Sequence, residues 1–156
     1  MRTLTILLAA LALFPHSAAA QERARASTKE AELLVRKAIT YLQQEGREKA
    51  LAAFNDPKGP FTYLDLYVLA IDREGVVVAH GRNQKFVGQN DTNKKDAAGN
   101  YHFARKMLEL GNGPGKGWLE YSIENPQTRK VEHKVAYVER AGDLIISCGV
   151  FKPEGK

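Results

Sequence analysis

The sequence has one cysteine, Cys148, so no disulfide can form within the chain. A lone thiol between Ser147 and Gly149, in an apolar terminal run, reads as a small buried hydrophobe rather than a nucleophile. Metal-ligand spacing is absent too, because His80, His102 and His133 stand far apart and no Cys/His pair has the interval of a zinc site. The Asn/Asp-rich stretch after residue 82 lacks the oxygen spacing of a calcium loop. No paired-acid motif, nucleophile–base pairing or phosphate-cradling glycine loop occurs. The expectation is a protein that is not an enzyme and carries no metal and no cofactor. The 23 Lys and Arg residues are interleaved with 18 Asp and Glu. That leaves no basic stripe for nucleic acid. After residue 14 no apolar run is long enough to cross a bilayer, which takes roughly 20 residues.

What is present begins with a leader. Arg2 supplies a positive start, Leu4–Phe14 is a short apolar run, and Ala18-Ala19-Ala20 offers small residues for cleavage before Gln21. Residues 1–20 therefore read as a secretory signal peptide, which places the product in the periplasm or outside the cell. Residues 21–156 are expected to form a single domain, and the whole chain, with 44% hydrophobic and 26% charged residues, has the composition of a globular protein.

The stretch Leu64–Gly81, LDLYVLAIDREGVVVAHG, carries two β-branched runs around the turn Asp72-Arg73-Glu74-Gly75. That is a β-hairpin signal. Alternation puts Leu64, Leu66, Val68 and Ala70 on one face of the first strand and Asp65, Tyr67, Leu69 and Ile71 on the other. It groups Val76, Val78 and His80 on the second strand. Strands this apolar on both faces need cover on both sides. One cover is a helix that starts at Ser27, where Ser27 and Glu30 form a capping box, and shows the stripe Leu34, Ala38, Tyr41, Leu42 until Gly46 interrupts it. Ala50, Leu51 and Phe54 continue it briefly, and the run from Asn55 to Pro60 stops any helix. The second cover would come from the long loop 82–100 and the helical segment Tyr101–Leu110, with Phe103, Met107 and Leu110 on one side. Strands Trp118–Glu124, Val131–Arg140 and Leu144–Phe151 follow as an antiparallel meander, the last of them the most apolar and so central. The fold class is α+β.

The segments AFNDPKGPF, DLYVLAIDREGVVVAHG, FVGQN, KGWLEYSIENPQTRKVEHKVAYVER and LIISCGVFK, in this order and spacing from Ala53 onward, resemble a single Cache domain, the extracytoplasmic relative of the PAS fold. The resemblance implies a long N-terminal helix packed on a five-stranded antiparallel sheet. It also implies a small ligand on the opposite face, under the loop and helix. It further implies a sensory role in signal transduction of the kind found in chemoreceptors and histidine kinases. No signalling segment follows Phe151, so a stand-alone exported form is expected.

Lys134 sits on a strand face with Glu132, Ala136 and Val138. Alone it fits either a solubilising surface charge or a cation that fixes a ligand carboxylate. The resemblance implies the second, because the family's strand has Lys here. His80 fits a structural histidine or a pocket contact, and the Ala79-His80 pair recurs in the family pattern where the strand enters the pocket loop. Core packing accounts for most strand aromatics, yet buried Tyr and Trp need a polar partner. Tyr67 and Tyr121 are the first choices for pocket walls, Trp118 for a cap, and Tyr101 for the mouth of the loop helix. The function expected is an exported soluble sensor binding a small organic acid, with a membrane receptor or kinase as output partner. The alternative is a periplasmic interaction module that docks on a membrane receptor or redox partner without a ligand of its own.

The exported protein should begin at or near Gln21, which intact-mass measurement of the secreted chain checks; a mass that retains residues 1–20 would make the leader an anchor.

Overall fold

The computed structural model describes residues 25–94, 100, 102–125 and 128–152, so the leader and Tyr101 lie outside the described residues. Helix α1 (Thr28–Glu45) starts at the capping box: Ser27 Oγ accepts from the Glu30 N–H at 3.2 Å and the Ser27 N–H donates to Glu30 Oε2 at 2.7 Å. Each bond satisfies a donor that the first helical turn leaves unpaired. The face that α1 buries completely is Ala31, Val35 and Ala38, while Leu34, Tyr41 and Leu42 are only partly covered. The buried stripe is thus rotated from the one read in the sequence. Two small alanines let the helix approach the sheet closely, and the larger side chains splay to its flanks. Gly46, at φ +81°, separates α1 from α2 (Arg47–Phe54). A positive φ there is one that glycine adopts without strain.

The predicted first strand is broken. Leu64 lies at φ +51°, and around it β1 (Thr62–Tyr63) folds back on β2 (Leu66–Tyr67) as a small hairpin of its own. Strand β3 (Leu69–Asp72) then enters the main sheet. It turns through Asp72, whose Oδ1 accepts from the Glu74 and Val76 N–H groups at 2.9 Å each, into β4 (Val77–His80). A register shift between Ala70 and Ile71 pairs Ala70 with Ala79 but Ile71 with Val77. Val78 is therefore the extra residue of a β-bulge, and the simple alternation read for this strand fails: Val77 and His80, three positions apart, face the same side.

Strands β5 (Lys116–Glu124), β6 (Val131–Ala141) and β7 (Leu144–Phe151) complete a five-stranded antiparallel sheet in the order β4-β3-β7-β6-β5. Strand β7 is central, as its composition required, and buried at every position. Its Leu144, Ile146, Cys148 and Val150 pack toward α1 and α2 with Val68, Ala70, Phe54 and Phe61. On the other side Ile145 meets Met107 of α3 (Phe103–Asn112), together with Ile71, Val77 and Val138. A Cβ added at Gly111 of α3 would stand 2.6 Å from Ile145, so only glycine lets α3 lie this close to the sheet.

Between β4 and α3 the described part of the loop is tied down rather than free. A short 3-10 turn (Gln84–Phe86) precedes Gly88 and Gln89, which exchange backbone hydrogen bonds with Val77 at 2.8 and 2.9 Å. Asn55, read in the sequence only as a helix stop, clamps the other margin of the same edge strand. Its Nδ2 donates to Val78 O at 3.3 Å and its Oδ1 accepts from His80 N–H at 3.0 Å. An edge strand exposes just these groups, and Asn55 satisfies them.

Replacing Ser27 with Ala should lower stability by about 1 kcal/mol through loss of the cap, read as a lower urea midpoint at unchanged slope. An unchanged midpoint would mean that the capping box contributes nothing to the packed helix.

Candidate functional site

Helix α3 covers the Ile145 end of the sheet but leaves the other end open beneath the loop. There a cavity of about 490 Å³ lies against the face opposite α1. The floor comes from six strands: Tyr67 of β2, Leu69 of β3, His80 of β4, Tyr121 of β5, Lys134 of β6, and Ser147, Gly149 and Phe151 of β7. The cover includes Asn83 and Phe86 of the loop and Phe103 of α3. The floor is deep at its centre because Gly149 has no side chain, and a Cβ there would meet Ala136 Cβ at 2.9 Å.

Lys134 is 3% exposed. Its Nζ donates to the Tyr67 hydroxyl at 3.1 Å and stands 4.5 Å from the Tyr67 ring centroid and 4.7 Å from that of Phe151. Cation–π attraction and one hydrogen bond offset part of the desolvation cost, but the charge itself is not neutralised. Among the described residues no carboxylate lies within ion-pair distance of it. Glu132, the acid on the same strand face, is engaged elsewhere: Arg25 pairs with its Oε2 at 3.2 Å and Thr128 donates to Oε1. Because Tyr67 accepts from Lys134, the Tyr67 proton is left to donate outward.

His80 is sandwiched between Tyr67, with ring centroids 4.8 Å apart, and Phe86, at 5.1 Å. Its Nδ1 accepts from the backbone N–H groups of Asn83 at 3.0 Å and Arg82 at 3.3 Å. A nitrogen that accepts twice carries no proton, so the tautomer is set and Nε2–H is the donor. Burial, reinforced by the Lys134 charge, pushes the His80 pKa down to about 4, and the ring is neutral at physiological pH. With Nδ1 occupied and the ring uncharged, His80 can donate a hydrogen bond but is poorly placed to take up a proton. Tyr121 pairs with Lys134 across β5 and β6 and stacks on Phe103 at 4.6 Å. Its phenol pKa is held well above the usual value by burial, with neighbouring Tyr67 adding to the effect. On the far side of the sheet, burial pushes the Cys148 thiol up to about 12, which keeps it protonated and unreactive.

The structure thus brings Tyr67, His80, Tyr121 and Lys134 together around one cavity. Trp118 does not join them. It is 43% exposed and tilts against Tyr137 at 5.1 Å on the α1 side of the sheet. The reason is the strand period of two: Trp118 and Tyr121 are three apart on an unbroken strand, so they point to opposite faces. Other residues that line the cavity were not singled out as site candidates from the sequence. Phe86 and Phe103 close over it, and Asp65 reaches it from the turn between β1 and β2. Phe103 had a sequence signal in its helical spacing with Met107 and Leu110, and Asp65 in its alternation with Tyr67, whereas Phe86 had no such pattern. What the arrangement offers chemically is a set of hydrogen-bond donors (Nζ, Tyr hydroxyls, Nε2–H) around the buried Lys134 ammonium, with the exposed Arg82 guanidinium at the cavity margin. Among the described residues no group of His, Cys, Asp and Glu could hold a metal ion, and no helix is long and apolar enough to cross a membrane.

No curated protein matches the chain. Solved structures do. A methyl-accepting chemotaxis protein from Vibrio parahaemolyticus aligns with a TM-score of 0.63 at 20% identity, over 79% of this chain and 86% of that one. A structure described as the basis for carboxylic acid recognition by a Cache chemosensory domain aligns at 0.66 and 20% identity, over 88% of this chain and all (100%) of that one. The periplasmic sensor domain of a chemotaxis protein gives 0.60 and 20%, over 90% and 100%. At such identity these likenesses speak to the fold. The family model Single Cache domain 2 matches residues 10–152. By that match the chain belongs to the single Cache domain 2 family, a family of extracytoplasmic sensory domains.

Proposed function

We propose that this chain is an exported, soluble sensor domain that binds a small organic acid in the cavity under α3 and the loop. The observation that carries the proposal is Lys134: a cation 3% exposed, facing a cavity, with no carboxylate of the described chain beside it. A buried charge is costly unless something neutralises it, and a ligand carboxylate is the natural counter-ion. Its oxygens would accept from Lys134 Nζ, the Tyr67 hydroxyl and His80 Nε2–H. Tyr121 lines the same wall, and the apolar side chains of Leu69, Ile71 and Phe103 would receive the hydrocarbon part of the acid. Carboxylic acid recognition by the Cache chemosensory domain with the same fold supports the choice of ligand class. The leader read from residues 1–20 supports a periplasmic or secreted location. Coupling to a membrane receptor or kinase would supply the output.

Calorimetric titration with acetate, propionate, butyrate and succinate tests the site. Lys134→Met keeps most of the side-chain bulk but removes the charge. Because hydrogen bonds to charged groups are worth roughly 1.5–3 kcal/mol, the substitution should weaken acid binding by about one to two decades with the fold intact. Equal affinities for the two folded proteins would take Lys134 out of the site.

His80 makes stability depend on pH. Its folded pKa of about 4 lies below the ordinary 6.5. The unfolded chain therefore takes up a proton, as pH falls through 6.5, that the folded chain refuses until near 4. The stabilisation is fully present above 6.5 and is lost toward pH 4, and it amounts to about 3 kcal/mol. Urea titrations at pH 7, 6, 5 and 4 should show the wild type losing more stability than His80→Asn over this window. Parallel losses would mean that solvent reaches the His80 ring.

A further inference from the structure

The cavity holds a second buried charge, of the opposite sign. Asp65 is 7% exposed and lines the cavity. Its Oδ1 accepts from the Ala26 N–H at 2.8 Å, just ahead of α1. Its Oδ2 is buried and has no hydrogen-bond donor among the described residues. The other acids around the cavity have cations of their own: Asp91 is 2.7 Å from Lys94, and Glu124 is 3.2 Å from Arg129. Arg25, next in sequence to Ala26, is turned toward Glu132 and the Lys152 carbonyl.

Asp65 and Lys134 are therefore two buried, oppositely charged groups that line one cavity, and they are not within 4.0 Å of each other. Asp65 sits in the turn between β1 and β2, two residues before Tyr67, and Tyr67 is the residue whose hydroxyl takes the Lys134 bond. Lys134 pairs in register with Phe151, and the Phe151 ring lies under its ammonium. A plain carboxylate would neutralise Lys134 and leave Asp65 Oδ2 without a donor in a low-dielectric site. A molecule that carries both a carboxylate and an ammonium group complements both charges and adds no net charge to the cavity.

We infer that the ligand is a small zwitterion, an amino acid whose carboxylate meets Lys134 and whose ammonium donates to Asp65 Oδ2. This rests on the reading of the cavity as an acid site, and it narrows the acid to one that also bears a cation. Asp65 is then the specificity-determining residue, and the Ala26 N–H is the positioning group that presents Oδ2.

The experiment compares matched pairs by calorimetric titration of the mature chain: alanine against propionate, and 4-aminobutyrate against butyrate. The two pairs place the ammonium at different distances from the carboxylate. At least one amino member should bind tenfold or more tightly than its partner without the amino group. Asp65→Asn keeps an oxygen for the Ala26 N–H and removes the charge. It should abolish that preference while propionate and butyrate bind no more weakly than they do to the wild type, because a negative charge has left the cavity. Lys134→Met should weaken all four. If propionate or butyrate binds and neither amino compound binds more tightly, the zwitterion inference falls and the acid site stands. A preference that survives in Asp65→Asn also overturns it. If none of the four binds the wild type, the acid site itself falls, and this inference with it. The wild-type comparison decides the matter even if Asp65→Asn fails to fold.

Discussion

Strand β7 has no exposed residue, and the rest of the molecule follows from that. A strand buried on both faces must be covered twice. The first cover, α1 with α2, is complete: alanines at 31 and 38 let α1 sit close, and the core on that side includes Phe54, Phe61, Tyr137 and Cys148. The second cover is shorter than the face it meets. Helix α3 packs on Ile145, Val138 and Ile71 through Met107, and its reach ends there. Beyond it, β7 presents Ser147, Gly149 and Phe151 to a space that the loop roofs without filling. The cavity is the part of the second face that only the first turn of α3 and the loop cover. It lies in the middle of the sheet because the most buried strand does.

Placing a lysine in that space has electrostatic consequences for its neighbours. Lys134 rests on two aromatic rings and a phenol oxygen, which lower the cost of its burial without neutralising it. Its field acts with desolvation on His80, and both favour the neutral ring. The backbone donors of Arg82 and Asn83 then decide which nitrogen keeps the proton. Asn55 adds a further constraint by holding the His80 N–H and the Val78 carbonyl at the free edge of β4. A helix terminus, a bulged strand and a loop thus converge on the orientation of one imidazole.

The sensory reading joins these features to the family. A Cache domain needs a pocket whose occupant can be felt by the elements around it. Here the floor is sheet, whereas the roof includes Asn83, Phe86 and Phe103. An acid that draws in Lys134, Tyr67 and His80 would contact both β4 and the chain leaving it. Those residues lead directly into the loop that covers the site.

The helix start at Ser27, the break at Gly46, the turn at Asp72–Gly75, the meander and the centrality of the last strand were all legible in the amino-acid order. Each depends on neighbours within a few residues: a cap, a positive φ, a side chain closing its own turn, or an unbroken apolar run. Alternation also held wherever a strand was regular, and it shows that Trp118 and Tyr121 cannot share a face. The resemblance, rather than any period, pointed to Lys134. What alternation could not supply was the bulge at Val78, which turns His80 toward the cavity, or the reversal at Leu64, which detaches β1 and β2 from the main sheet. Nor could it tell which of two apolar faces would be filled and which left open. That depended on α3 stopping short of Gly149 and on Lys134 meeting a phenol 67 positions away. Such contacts form only when strands distant in sequence pair in register, and no local propensity encodes them.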